Sequence, residues 1–192
     1  LVGWGERLAA RGYAALAFST QPEGLDNVPR YVANCKSNLE IMLSFVFNQS
    51  AFPITVDPDS VSLMGMSGGG ASVLSIDDER IKTTIAVCPY YVDNTTAVNT
   101  EPVLIITGQN DYIAPHVSHG AVYYDELMAV KMIIEQANTP EQDGHDIFET
   151  GWKYTFAWLE YNLTENPDAY YLLENVETDM LILESLSDLP EP

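Results

Sequence analysis

Apolar residues along this chain fall into two kinds of run. Some are short and continuous: Tyr13 to Phe18, Thr83 to Val87, Pro102 to Thr107 with Val-Leu-Ile-Ile inside, and Met132-Ile133-Ile134. Continuous runs of this length predict strands buried on both faces. Others recur at helical spacing. Residues 3–11 set Trp4, Leu8 and Ala9 against Glu6, Arg7 and Arg11, with Gly12 as a stop. Beyond Pro29, a residue suited to a helix start, Val32, Cys35, Leu39, Met42 and Val46 mark a second helix packed along one face. Residues 119–129 predict another helix, and Phe148, Trp152, Phe156 and Leu159 mark the face of the last one.

One stretch breaks the pattern. Val61 to Met66 is apolar and strand-like, and it runs straight into Ser67-Gly68-Gly69-Gly70. A helix over Gly70 to Ile76 follows, with Asp77-Asp78-Glu79 as its solvated end. Strands alternating with helices predict an α/β fold, a mostly parallel sheet with helices on both faces. Residues 1–192 suit a single domain, with an acidic, mixed tail from about 166 to 192. Met180 to Leu183 within it reads as an edge strand or a docking segment.

Composition narrows the partners. Net charge is −20 with only eight Lys plus Arg, none of them after Lys153. Such a surface repels nucleic acid and anionic membranes, so neither is an expected partner. It suits an acidic extracellular enzyme and a salt-adapted protein equally. No apolar run approaches the roughly 20 residues of a membrane span, so no membrane insertion is expected. The chain opens on Leu1 rather than Met, which fits a leader removed or never included. Cys35 and Cys88 are the two cysteines. Two thiols predict neither a disulfide framework nor a zinc site, and both are expected to be buried.

The candidate chemistry starts at Gly65-Met66-Ser67-Gly68-Gly69, which fits G-x-S-x-G. A serine on a sharp strand-to-helix turn needs neighbours without Cβ atoms, because the following helix crowds it. By itself the pentapeptide fits a glycine-rich turn without chemistry equally well. A nucleophilic serine also needs a base and an acid to orient that base. Asp111 follows a later strand, in Gly-Gln-Asn-Asp, and His145 lies in the loop after the last strand. All three fall at the carboxyl ends of their elements, where open α/β sheets bind ligands. His116 and His119 follow Asp111 closely and suit a helix start or a surface position. Asp143 and Asp146 compete for the acid, but sequence neighbours rarely reach an adjacent imidazole in good geometry.

The strings around these residues carry a resemblance. Val56-Asp57-Pro58, Met64 to Gly70, Leu104-Ile105-Ile106 and Asn110-Asp111-Tyr112-Ile113-Ala114-Pro115 together resemble the bacterial cutinases and poly(ethylene terephthalate) hydrolases of the α/β-hydrolase fold. Trp4-Gly5-x-Arg7-Leu8-Ala9 and Ala157-Trp158-Leu159 are similar too, so the likeness covers roughly residues 3 to 170. The resemblance implies a secreted serine carboxylic-ester hydrolase that acts on esters or polyesters through an acyl-enzyme, without a cofactor or metal. It implies Ser67 as nucleophile, His145 as base, Asp111 as acid and Gly68 as an oxyanion-hole amide. Tyr90, Ile113 and Met66 then line the substrate.

Three departures qualify it. Gly68 stands where the family usually has Met. No cysteine follows Cys88, so the family's C-terminal disulfide is absent. The strands that precede the first helix in the family, and the loop that completes its oxyanion hole, are not in this sequence, so the fold is expected to be N-terminally truncated. Truncation predicts an exposed sheet edge and homo-oligomers through it. The alternative is a catalytically impaired α/β-hydrolase scaffold that serves as a binding or assembly module.

Overall fold

The computed structural model describes residues 2–17, 28–48, 54–92, 95–137, 144–145, 147, 151–174 and 180–184. The chain divides into two compact units, Leu1–Pro58 and Asp59–Pro192.

The first unit contains helix α1 (Val2–Ala9) and helix α2 (Val28–Phe47). Gly12 ends the first segment at φ +86°, a conformation glycine adopts at no steric cost. On α2, Cys35 and Leu39 of the predicted stripe are buried, but Leu43 is buried in place of Met42, and Met42 and Val46 are only partly buried. The strand expected over Tyr13 to Phe18 does not form. Residues 13–17 carry no ladder and are mostly exposed, and Phe18 lies outside the described residues. An apolar run becomes a strand only when a neighbouring edge accepts its backbone groups.

The second unit is built on one sheet, in the order β1 (Ser62–Met66), β2 (Thr83–Val87), β3 (Val103–Gly108), β4 (Lys131–Gln136), β5 (Met180–Glu184). The first four strands are parallel and the last is antiparallel to β4. Met180 to Glu184 is therefore an edge strand. Helices α3 (Gly68–Leu74), α4 (Gly120–Glu126), α5 (Trp152–Thr164) and α6 (Pro167–Glu174) complete the unit.

Both sheet faces are covered, as expected for an α/β-hydrolase-type sheet. Alternate residues Ala86, Val103, Ile105 and Ile133 join Ala71 and Leu74 of α3 and Tyr123 and Tyr124 of α4 in one buried cluster. On the other face, Ile106 approaches Gly151 at the start of α5. There the Trp158 indole N–H donates to the Thr83 hydroxyl at 2.6 Å. Complete burial of β2 and β3 explains why their sequences are continuously apolar rather than alternating. The region from 166 onward opens as α6, which buries Ala169, Tyr170 and Leu173 beside α5.

Candidate active-site cluster

Three adjacent parallel strands each end in a corner of positive φ. Ser67 after β1 has φ 56°, Cys88 after β2 has φ 42°, and Asn110 after β3 has φ 63°. Asparagine tolerates this region, whereas serine and cysteine occupy it at a cost in strain. Backbone bonds hold the corners together. Ser67 N–H donates to Val87 O at 2.9 Å, Tyr90 N–H to Ser67 O at 3.1 Å, and Cys88 N–H to Ile106 O at 2.7 Å. Strain of this kind gathers at functional sites.

The glycines show why the first corner needs its sequence. A Cβ on Gly65 would overlap the Gly69 carbonyl, and one on Gly70 would lie 2.9 Å from Pro89 Cα. At Gly69 a Cβ would meet nothing within 4 Å. The steric demand therefore falls on Gly65 and Gly70, not on both glycines of the pentapeptide. Gly68 opens α3, and Met66 is half-buried at the end of β1.

Asp111 and His145 come together as expected. His145 Nδ1–H donates to Asp111 Oδ2 at 2.8 Å. The other carboxylate oxygen accepts the Ile113 and Ala114 amides, each at 2.8 Å. The Asp111 side chain is fully buried and that of His145 is 12% exposed. Burial alone would raise the Asp111 pKa. The Ala114 amide, the His145 ring and the Ile113 amide outweigh it, and the carboxyl is held below its ordinary value. The competing acids Asp143 and Asp146 lie outside the described residues.

The side chain that joins the Asp111–His145 pair in this cluster is Cys88. Cys88 Sγ, an Asp111 carboxylate oxygen and a His145 ring nitrogen all lie within 4.8 Å of one another. The buried Cys88 thiol donates to Gly144 O at 3.7 Å. Among the described residues, no hydrogen bond joins the Ser67 hydroxyl to the His145 ring. Ser67 does occupy a strained corner at φ 56°, ψ −122°, but its side chain makes no cap bond to α3. The expectation of a serine ester hydrolase acting through Ser67, His145 and Asp111 is thereby overturned. The chemistry gathered at this edge is a Cys88–Asp111–His145 cluster. The physical reason is topological: β2 lies between β1 and β3, so its terminal residue reaches the Asp–His pair.

The remaining expected residues form the surroundings. Tyr90 is half-buried and follows Pro89 at the end of β2's corner. Ile113 is 48% exposed and Tyr112 is 87% exposed, on the turn that holds Asp111.

His119 was expected to serve only as a helix start or surface residue, and it does more. It precedes α4 without a side-chain cap bond, its ring lies tilted by 37° against that of Tyr90 with centroids 4.7 Å apart, and its Nδ1 accepts the Tyr91 amide at 2.8 Å. Burial pushes its pKa down; the Asp111 charge opposes this and His145 adds to it. A second histidine at a helix start just beyond a strand end was the available signal. His116 instead faces the Thr107 hydroxyl at 3.0 Å.

Comparison with known proteins places these features among relatives. Residues 1–174 match the model of a family described as PET hydrolase-like. Cutinase est1 of Thermobifida alba is 27% identical over 170 residues, covering 86% of this chain and 56% of its own length. Cutinase 2 of Thermobifida cellulosilytica is 28% identical over 168 residues, covering 83% of this chain and 62% of its own. Bis(hydroxyethyl) terephthalate hydrolase of Streptomyces coelicolor is 24% identical over 169 residues, covering 83% and 51%. The chain thus spans between half and two thirds of the length of these curated relatives.

Proposed function

Since the chain belongs to the PET hydrolase-like family, we propose that it is a catalytically altered scaffold of that family, a module that binds ester-bearing chains without serine-dependent hydrolysis. The observation that carries this reading is the Cys88 thiol beside Asp111 and His145. Cys88 is completely buried and its thiol donates to a carbonyl. A nucleophilic cysteine needs an accessible thiolate in an electropositive setting, so this thiol is not a replacement nucleophile.

Binding is supported by the rim. Tyr112, Ile113 and Val117 are exposed in one short stretch that begins at Asp111. Clustered exposed apolar groups mark interaction surfaces more often than scattered ones. The names of the relatives, cutinases and a bis(hydroxyethyl) terephthalate hydrolase, direct the choice of ligand to aliphatic or aromatic polyesters. A net charge of −20 disfavours nucleic acid and anionic membranes. Among the described residues no helix is long and apolar enough to cross a membrane. Kinship with bacterial cutinases supports an extracellular type of protein, and export of this chain is part of the proposal.

Adsorption to a poly(ethylene terephthalate) film tests the binding role. The protein should bind the film saturably, and a Tyr112→Ala/Ile113→Ala variant should bind about tenfold more weakly, the effect of withdrawing two partly buried apolar contacts. Equal adsorption by the two proteins would refute a binding role for this rim.

A further inference from the structure

We propose that Cys88 Sγ, Asp111 Oδ2 and His145 Nδ1 form a three-ligand site for a zinc-class divalent metal. Each donor comes from the carboxyl end of a different strand or the loop beyond it, and one ligand atom from each of the three residues lies within 4.8 Å of the other two. Zinc bonds of about 2.3 Å to sulfur and about 2.0–2.1 Å to nitrogen and oxygen require tetrahedral donors about 3.5 Å apart. From the 4.8 Å limit the sulfur closes by about 1.3 Å at most, and the Asp111–His145 pair, now at 2.8 Å, opens by less than that. Metal binding here does not require ester binding by the rim.

Three features favour a metal here. The donors combine thiolate, imidazole and carboxylate, a set that suits zinc or cobalt over magnesium or calcium. Asp111 Oδ1 is fixed by the Ile113 and Ala114 amides, which leaves Oδ2 oriented as the ligand and supplies the outer hydrogen bonds that metal sites use. One thiolate and one carboxylate also cancel a divalent charge, so the loaded cluster is neutral, as a buried position demands. The 12% exposure of His145 leaves an entry side.

The proton count follows. The Cys88 thiol loses its proton as the sulfur–metal bond forms. The His145 proton moves from Nδ1 to Nε2, so Nδ1 is freed as a donor. One proton is released per metal bound. Sequence alone missed the site, because two cysteines without a paired-cysteine motif predict no zinc site. The donors here are far apart in the chain and meet only through the sheet.

Cobalt titration of the chelator-treated 192-residue chain tests this. A thiolate-to-cobalt charge-transfer band in the near ultraviolet should rise to one equivalent and vanish on adding zinc. Calorimetry in two buffers of different ionisation enthalpy should find one proton released. Cys88→Ala and Cys88→Ser should each lose the band, Cys35→Ala should keep it, and His145→Ala should bind at least about tenfold more weakly. Two Cys88 variants guard against one that fails to fold. No band in the unaltered protein, a band that survives both Cys88 variants, or one lost with Cys35→Ala would overturn the proposal.

Discussion

Gly144→Ala is expected to destabilise the protein by about 3 kcal/mol and to separate His145 from Asp111. A Cβ at Gly144 would overlap the Asp111 amide nitrogen and the Gln109 carbonyl oxygen. Both are backbone atoms, so no side-chain rotation relieves the clash. Gly108 faces it from the other side, where a Cβ would overlap the Gly144 carbonyl. The two loops therefore meet backbone to backbone, and this contact places His145 next to Asp111. The same carbonyl accepts the Cys88 thiol, so one methyl group would disturb all three members of the cluster. Urea denaturation gives the stability loss, and the downfield His145 Nδ1–H proton resonance reports on the Asp111 bond. An unchanged urea midpoint with the resonance retained would show that the loops yield easily.

Asp111→Ala is expected to cost about 3 kcal/mol near neutral pH. The substitution leaves the Ile113 amide, the Ala114 amide and His145 Nδ1–H without their carboxylate acceptor. Its pH signature separates this loss from simple repacking. The folded carboxyl titrates below its unfolded value, so its stabilisation is fully present above the unfolded pKa of about 3.9. It disappears as pH falls through the folded pKa. The gap between the unaltered protein and Asp111→Ala should therefore be widest above about pH 5 and narrow steadily in acid. Urea midpoints across that range check it, and a gap independent of pH would mean that the carboxylate charge contributes nothing.

Much of this arrangement is legible in the sequence because burial writes itself into composition. β2 and β3 are covered on both faces, and their continuous apolar runs place them within a residue. Asp111 and His145 could be chosen because strand ends line one edge of a parallel sheet. Residues 13–17 misled for the complementary reason: their apolar pattern is strand-like, but it carries no information about whether a ladder partner exists. β4 extends beyond its apolar centre into Lys131, Glu135 and Gln136, whose polarity hides them as strand residues, although Gln136 is only 2% exposed. α6 was hidden in an acidic segment whose buried residues, Ala169, Tyr170 and Leu173, are few. The Cys88 contact was beyond reach, because a lone buried cysteine at a strand end looks like any core thiol until the neighbouring strands are in register. His119 follows Asp111 closely in sequence, which hides its role, yet a turn through Pro115 and a short 3-10 segment brings it back against Tyr90.

Ester turnover most directly tests whether Cys88, rather than Ser67, stands with Asp111 and His145. Hydrolysis of p-nitrophenyl butyrate is measured for the unaltered chain and for Ser67→Ala, alongside labelling by a fluorophosphonate probe. Equal rates and no label on Ser67 are the predicted result. A label on Ser67 together with a rate about a thousandfold lower in Ser67→Ala would contradict it.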